Sequence, residues 1–181
     1  MSPARSRALN GDLPGLPLDR LTPWLAEHVD GFDGSARPRA DLLAGGRSNL
    51  TFALTDASGR RWAVRRPPLG HLMPSAHDLA REFTVLTGLA RGDYPVPAAR
   101  ALCTQDDVIG AQFLVMDFVD GLVVADRTDA ERLSSAQAHD ACDALVNALA
   151  RLHALDAASV GLASFGRPEG YLVRQVRRWG E

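Results

Sequence analysis

Apolar residues along this chain follow a helical period at first, then alternate, then return to a helical period. Leu18, Leu21, Leu25 and Val29 predict a helix over 18–30, with Asp19 capping its start and Pro23 tolerated only in the first turn. A short apolar stretch, Ala40 to Ala44, runs into Gly45-Gly46. Over 48–55, Leu50, Phe52 and Leu54 alternate with polar or small residues, the pattern of a half-buried strand. Asp56 to Gly59 form a turn, and 61–65 returns as a second strand, completing a hairpin. After a Pro-Pro break at 67–68, a helix over 76–91 is expected, with Ser75 as its cap and Leu79, Phe83, Leu86 and Leu89 or Ala90 as its stripe. The prolines of 94–99 keep the chain extended. Strands follow over 99–104 and 109–118. A long helix over 134–155 carries Ala138, Ala141, Leu145, Ala148, Leu149 and Leu152 on its expected buried face. Residues 161–170 read as a loop, and 171–181 as a further helix.

This order is one helix, five short antiparallel strands with a helix after the third, then helices only. It predicts an α+β fold with strands segregated from the later helices. The organisation expected is an arm over 1–17, a strand-bearing lobe over 18–118, a connector over 119–133 and the start of a helical lobe over 134–181.

Composition removes several classes of function. All 20 basic side chains are arginine, and the chain has no lysine. A Schiff base, a phosphate-loop lysine and a kinase-type strand lysine are therefore excluded. The formal net charge of -2 supplies no basic field for nucleic acid. Cys103 and Cys142 form no C-x-x-C motif and read as ordinary thiols of a reducing cytoplasm. No apolar run approaches the ~18 residues of a membrane span, and the first 17 residues lack the apolar centre of a signal peptide. The length of 181 residues suits one domain or a piece of a larger one.

Four stretches can carry chemistry. In Gly45-Gly46-Arg47-Ser48-Asn49, glycines let backbone N–H groups approach an anion and Ser48 adds a hydroxyl, although a plain turn or bulge explains the glycines equally well. In 62–66 (WAVRR), alternation gives Ala63 and Arg65 one face and Trp62, Val64 and Arg66 the other. A small residue followed two later by a cation suits a flat base and then phosphates; an exposed arginine on an edge strand is the plainer reading. Glu82 lies within the apolar stripe of its helix and needs a partner there, either Arg65 or a local arginine such as Arg81. In 114–121 (LVMDFVDG), an apolar strand runs into a short polar stretch, a pattern suited to a connector whose backbone reads a purine edge. Asp117 and Asp120 read as connector and turn residues. His153 reads as packing or capping, and His71 and His77 form no convincing metal site.

Together these phrases resemble the aminoglycoside phosphotransferase family, which has a protein-kinase-like fold and includes choline kinases and macrolide kinases. The resemblance runs through GGRSN, WAVR, the glutamate of REF, YPVP, VMDFVDG and ALARLHALD, over about residues 20–181. The phrases RRPPLG, PSAHDLAREF and FGRPEGYLVRQVRRW look most like the branch related to the kinase domain fused to some acyl-CoA dehydrogenases. It implies a kinase-like N-lobe, a five-stranded antiparallel sheet with one packed helix, followed by the first helices of an incomplete C-lobe. It implies ATP or GTP between the lobes, Mg²⁺, and transfer of phosphate to a small-molecule hydroxyl. By position, Gly45, Gly46, Arg47, Ser48 and Asn49 would cover the phosphates. Ala63 would make room for the base, Arg65 would take the place of the strand lysine, and Glu82 would pair with it. Met116, Asp117, Phe118 and Val119 would form the adenine-binding connector.

The family also needs an H-G-D-x-x-x-x-N-type loop and a later metal-binding aspartate. No HGD or HRD occurs in these 181 residues, so the expectation is a chain truncated before its catalytic loop. No catalytic or metal-binding residue is assigned, and Mg²⁺ is expected only with the missing C-lobe. The chain alone is expected to be inactive and to expose the C-lobe's apolar face. The alternative is a non-catalytic, pseudokinase-like nucleotide-binding or interaction module. The acceptor is left open between an antibiotic, a hydroxyacyl-CoA and another metabolite.

Overall fold

The computed structural model describes residues 13–43, 49–70, 78–166 and 169–180. Helix α1 (Leu18–His28) buries Leu18, Leu21 and Leu25, and Val29 follows them into the core, as their spacing requires. Its start differs from expectation. The N-cap is Pro17, without a side-chain cap, and Asp19 instead pairs with Arg37 at 3.1 Å. Pro23 therefore lies inside the helix rather than in its first turn.

Strands β1 (Arg39–Leu43), β2 (Leu50–Thr55) and β3 (Arg61–Arg66) form an antiparallel meander. Helix α2 (Leu79–Arg91) follows, then β4 (Ala99–Cys103) and β5 (Phe113–Asp117). The sheet order is β1-β2-β3-β5-β4, so β5 inserts beside β3 and makes β3 the central strand. Among the described residues, the cap of α2 is Asp78, whose side chain accepts from the Arg81 N–H; the expected Ser75 cap lies outside them. Strand β5 is shorter than its apolar run, because Gly110 N–H closes a turn onto Asp106 before it starts.

The sheet has an apolar layer on each face. One layer joins α1 to Phe52, Leu54, Trp62, Val64, Phe113 and Val115. The other places Phe83 and Leu86 of α2 against Ala63, Leu114 and Met116. Leu13 and Leu16 are also buried in the first layer, so the expected arm ends sooner than residue 17. Arg66, buried on that side, donates to the carbonyls of Gly15 at 2.5 Å and Ile109 at 3.1 Å, which fixes the segment there.

Beyond β5 come a short helix α3 (Arg127–Ala130) inside the expected connector, α4 (Ser135–Ala154) and α5 (Tyr171–Trp179). Ser134 caps α4 through a reciprocal bond pair with Gln137. The apolar face expected to be buried on α4 is not covered: Leu145 and Leu149 are exposed, and Ala138, Ala148 and Leu152 are only half-buried. Leu172, Val173, Val176 and Trp179 of α5 are exposed as well.

Candidate functional site

Alternation along β3 puts Ala63 and Arg65 on the sheet face that α2 covers. Across the ladder Ala63 stands opposite Met116 of β5, and Arg65 opposite Thr51 of β2. Helix α2 returns over this face with Leu79, Phe83 and Leu86 packed down, which brings Glu82 to the sheet. Arg65 Nε lies 3.0 Å from both carboxylate oxygens of Glu82, and a terminal nitrogen of Arg65 donates to Thr51 Oγ1 at 3.1 Å. Both charged side chains remain about a third exposed, at 31% each. This arginine is neither on an edge strand nor free, and Arg81 is not the partner of Glu82. Arg81 stacks instead over the Phe165 ring, 4.1 Å from its centroid.

The arrangement is a cation fixed on a central strand, with donor capacity left toward solvent and a small residue two positions before it. Such a site can accept an anion beside a flat apolar surface. Thr51, which orients Arg65, was not found by sequence reasoning; its signal was the cross-strand register, one strand back from Arg65.

The connector residues separate. Met116 is buried beside Ala63, and Phe118 packs with the same layer. Arg61 lies over the Phe118 ring at 3.6 Å from its centroid and also pairs with Asp120. Val119 is exposed. Asp117 pairs across the ladder with Trp62, so its side chain belongs to the opposite sheet face from Arg65. There it accepts from Arg100 and Arg60, at 2.8 Å and 3.4 Å. The hydrogen bond from Arg100 holds the Asp117 carboxyl below the usual carboxylate range, against the opposing effect of burial. Only its backbone could serve a ligand on the Ala63 face. Arg100 sits at a β-bulge between β4 and β5, which turns it toward Asp117. A cavity of about 400 Å³ lies between Gly59, Arg60 and Arg61 of the β2–β3 turn and the connector residues Asp117, Phe118 and Asp120.

Asn49 is buried at the start of β2. Gly45, Gly46, Arg47 and Ser48 lie outside the described residues, as do His71 and His77. Among the described residues, no three His, Cys, Asp or Glu side chains gather to hold a metal ion, and no helix is long and apolar enough to cross a membrane. Cys103 and Cys142 are both free, and burial pushes the Cys103 thiol up.

Residues 39–181 match the phosphotransferase enzyme family. Human acyl-CoA dehydrogenase family member 11 is 36% identical over 162 residues, 88% of this chain and 20% of that protein. Mouse acyl-CoA dehydrogenase family member 10 is 34% identical over 134 residues, 74% of this chain and 12% of that protein. A crystal structure from Ralstonia eutropha, provisionally described as an aminoglycoside phosphotransferase, matches with a TM-score of 0.70 and 32% identity over 90% of this chain and 45% of that one. The chain spans about a fifth or less of the length of the curated relatives it matches. At this similarity the fold is shared with the corresponding part of that structure: α+β, with a kinase-like five-stranded lobe.

Proposed function

The chain belongs to the phosphotransferase enzyme family, and we propose that it forms the nucleotide-binding part of an ATP-dependent enzyme that phosphorylates a small-molecule hydroxyl. The observation that carries this reading is the Arg65–Glu82 pair at 3.0 Å on the central strand, two residues beyond Ala63. Arg65 supplies charge to the phosphates of ATP or GTP, and Glu82 keeps its guanidinium from swinging away. Ala63 and Met116 would flank the base, and the backbone of 117–119 would read its edge. By the sequence resemblance, Gly45 to Asn49 would cover the phosphates. Mg²⁺ would accompany the triphosphate and offset its charge, and no residue of these 181 is assigned to hold it. The names of the relatives favour a hydroxyl on an acyl-CoA chain over an antibiotic as acceptor. Two free cysteines fit a cytoplasmic protein.

These 181 residues contain no HGD or HRD sequence. By themselves they are therefore proposed to bind nucleotide without transferring phosphate. Calorimetric titration with ATP tests the binding half: saturable binding is expected, weakened about tenfold or more in Arg65→Ala, a loss of about 1.4 kcal/mol. No saturable binding, or an Arg65→Ala variant that binds like the parent, would overturn it. Formation of a phosphorylated hydroxyl by the 181-residue chain would overturn the inactive half alone.

A further inference from the structure

Helix α2 is gripped on two sides. At about 100° per residue, Leu79, Phe83 and Leu86 share the side facing the sheet, and Arg81, Gly88 and Gly92 share the opposite one. That far side is covered by the loop that follows α4. Leu162 packs on buried Gly88 so closely that a Cβ there would stand 2.8 Å from Leu162 Cγ. Val160, itself buried, closes on Gly92 in the same way, at 2.8 Å. At the other end of the helix, Arg81 lies over the Phe165 ring and donates to the Phe165 carbonyl at 3.3 Å.

The loop is built to hold its shape. The Asp156 carboxylate accepts from the N–H groups of Ala158 and Ser159, at 3.1 and 3.2 Å. Leu162 N–H returns to the Ala157 carbonyl at 2.7 Å. It is thus a short, internally bonded brace rather than a slack connection. Glu82 follows Arg81 directly, so the segment of α2 that Phe165 holds is the segment that delivers the carboxylate to Arg65.

We infer that the loop from Val160 to Phe165 is a positioning element for Glu82: it sets how far α2 sits over the sheet and so where Arg65 aims. The consequence for ligand binding rests on the nucleotide reading above. The loop belongs to the helical part of the chain and Arg65 to the sheet, so the brace couples the two parts through one helix.

The test compares ATP with adenosine, which lacks the phosphates that Arg65 would hold. In the 181-residue chain, Leu162→Ala and Phe165→Ala should weaken ATP binding about fivefold, the scale of a modest coupling, and leave adenosine binding unchanged. Leu162→Met should restore most of the loss. Gly88→Ala is the complementary variant. It raises the intrinsic helix propensity of α2 but pushes against Leu162, and should weaken ATP while leaving adenosine binding unchanged, a split that a general stability loss would not give. Hydrogen exchange of the α2 amides, without nucleotide, is the independent readout: Leu162→Ala should speed exchange over 79–91 and leave β3 and β5 unchanged. Unchanged exchange in α2, or equal loss of ATP and adenosine binding, overturns the inference. An unmodified chain that fails to bind ATP would sink the proposed function instead, and the exchange result would still decide whether the loop holds α2.

Discussion

Arg100 donates to Asp117 with both its Nε, at 2.8 Å, and a terminal nitrogen, at 2.5 Å, tying the last residue of β5 to a bulge in β4. The pair closes the end of the sheet at which the connector departs.

Among the described residues, two carboxyls have folded-state values below the usual range. For Asp117 the chief cause is the Arg100 bond. For Asp56, burial acts to raise the value, but bonds from Ser58, Trp62 and the N–H groups of Asp33 and Arg60 together outweigh it. A depressed folded value means the stability is present above the unfolded value of about 3.9 and is lost as pH falls through the folded one. The melting temperature is therefore expected to hold from neutral pH down to mild acid and to fall steeply below about pH 4. Asp117→Asn should lower it near neutrality and flatten the acid limb. An acid limb identical to the parent's would show that the pair contributes nothing.

Much of this site was legible because strand alternation is a strict period of two. Ala63 with Arg65, against Trp62 with Val64, followed from position alone, and Glu82 followed from its place in an apolar stripe. What was not legible depended on contacts distant in sequence. Pro14 and Gly15 mark the segment around them as irregular, yet Arg66 captures the Gly15 carbonyl and brings Leu13 and Leu16 into the core. Asp117 reads as part of the connector, but the β3–β5 register gives its side chain to the other face. The apolar stripe of α4 shows which side could be buried, not whether anything covers it.

Arg66 is 5% exposed and donates to the carbonyls of Pro67, Gly15 and Ile109. Burial pushes its pKa down. Arg66→Met keeps most of the apolar stem but strands three acceptors, at an expected cost of about 3 kcal/mol. Lysine should not fully rescue it, because its one terminal nitrogen can replace the nitrogen that serves Gly15 and Ile109 but not the separate Nε that bonds Pro67. Urea unfolding with an unchanged slope and a lower midpoint is the expected result. A loss under about 1 kcal/mol would mean that water replaces the guanidinium freely.

The Arg65–Glu82 pair makes a graded series informative. Glu82→Gln keeps an acceptor at the same reach but removes the charge, and should weaken ATP about threefold; Glu82→Ala should weaken it about tenfold, as expected when a charge-assisted bond worth about 1.5 kcal/mol is lost. Both side chains are partly exposed, so unfolding stability should move by less than about 1 kcal/mol. Equal ATP affinity across the series would remove Glu82 from the site.

The helical end of the chain carries a separate consequence. Leu172, Val176 and Trp179 lie four and three residues apart on α5, one side of a helix, and Trp179 is 83% exposed. Leu145 and Leu149 on α4 are exposed with the same spacing. Contiguous apolar patches of this kind are uncommon on a monomer, because the hydrophobic effect favours covering them at about 25 cal/mol per Å². The 181-residue chain is therefore expected to bind an environment-sensitive apolar dye while its sheet is still folded. Its sedimentation coefficient should rise with concentration. Replacing Leu172 and Val176 together with glutamate should reduce both effects and leave the melting temperature nearly unchanged, since both residues are about three-quarters exposed and bury little area within the chain. A parent chain that stays monomeric and dye-free to its solubility limit would show that these helices close on one another in solution.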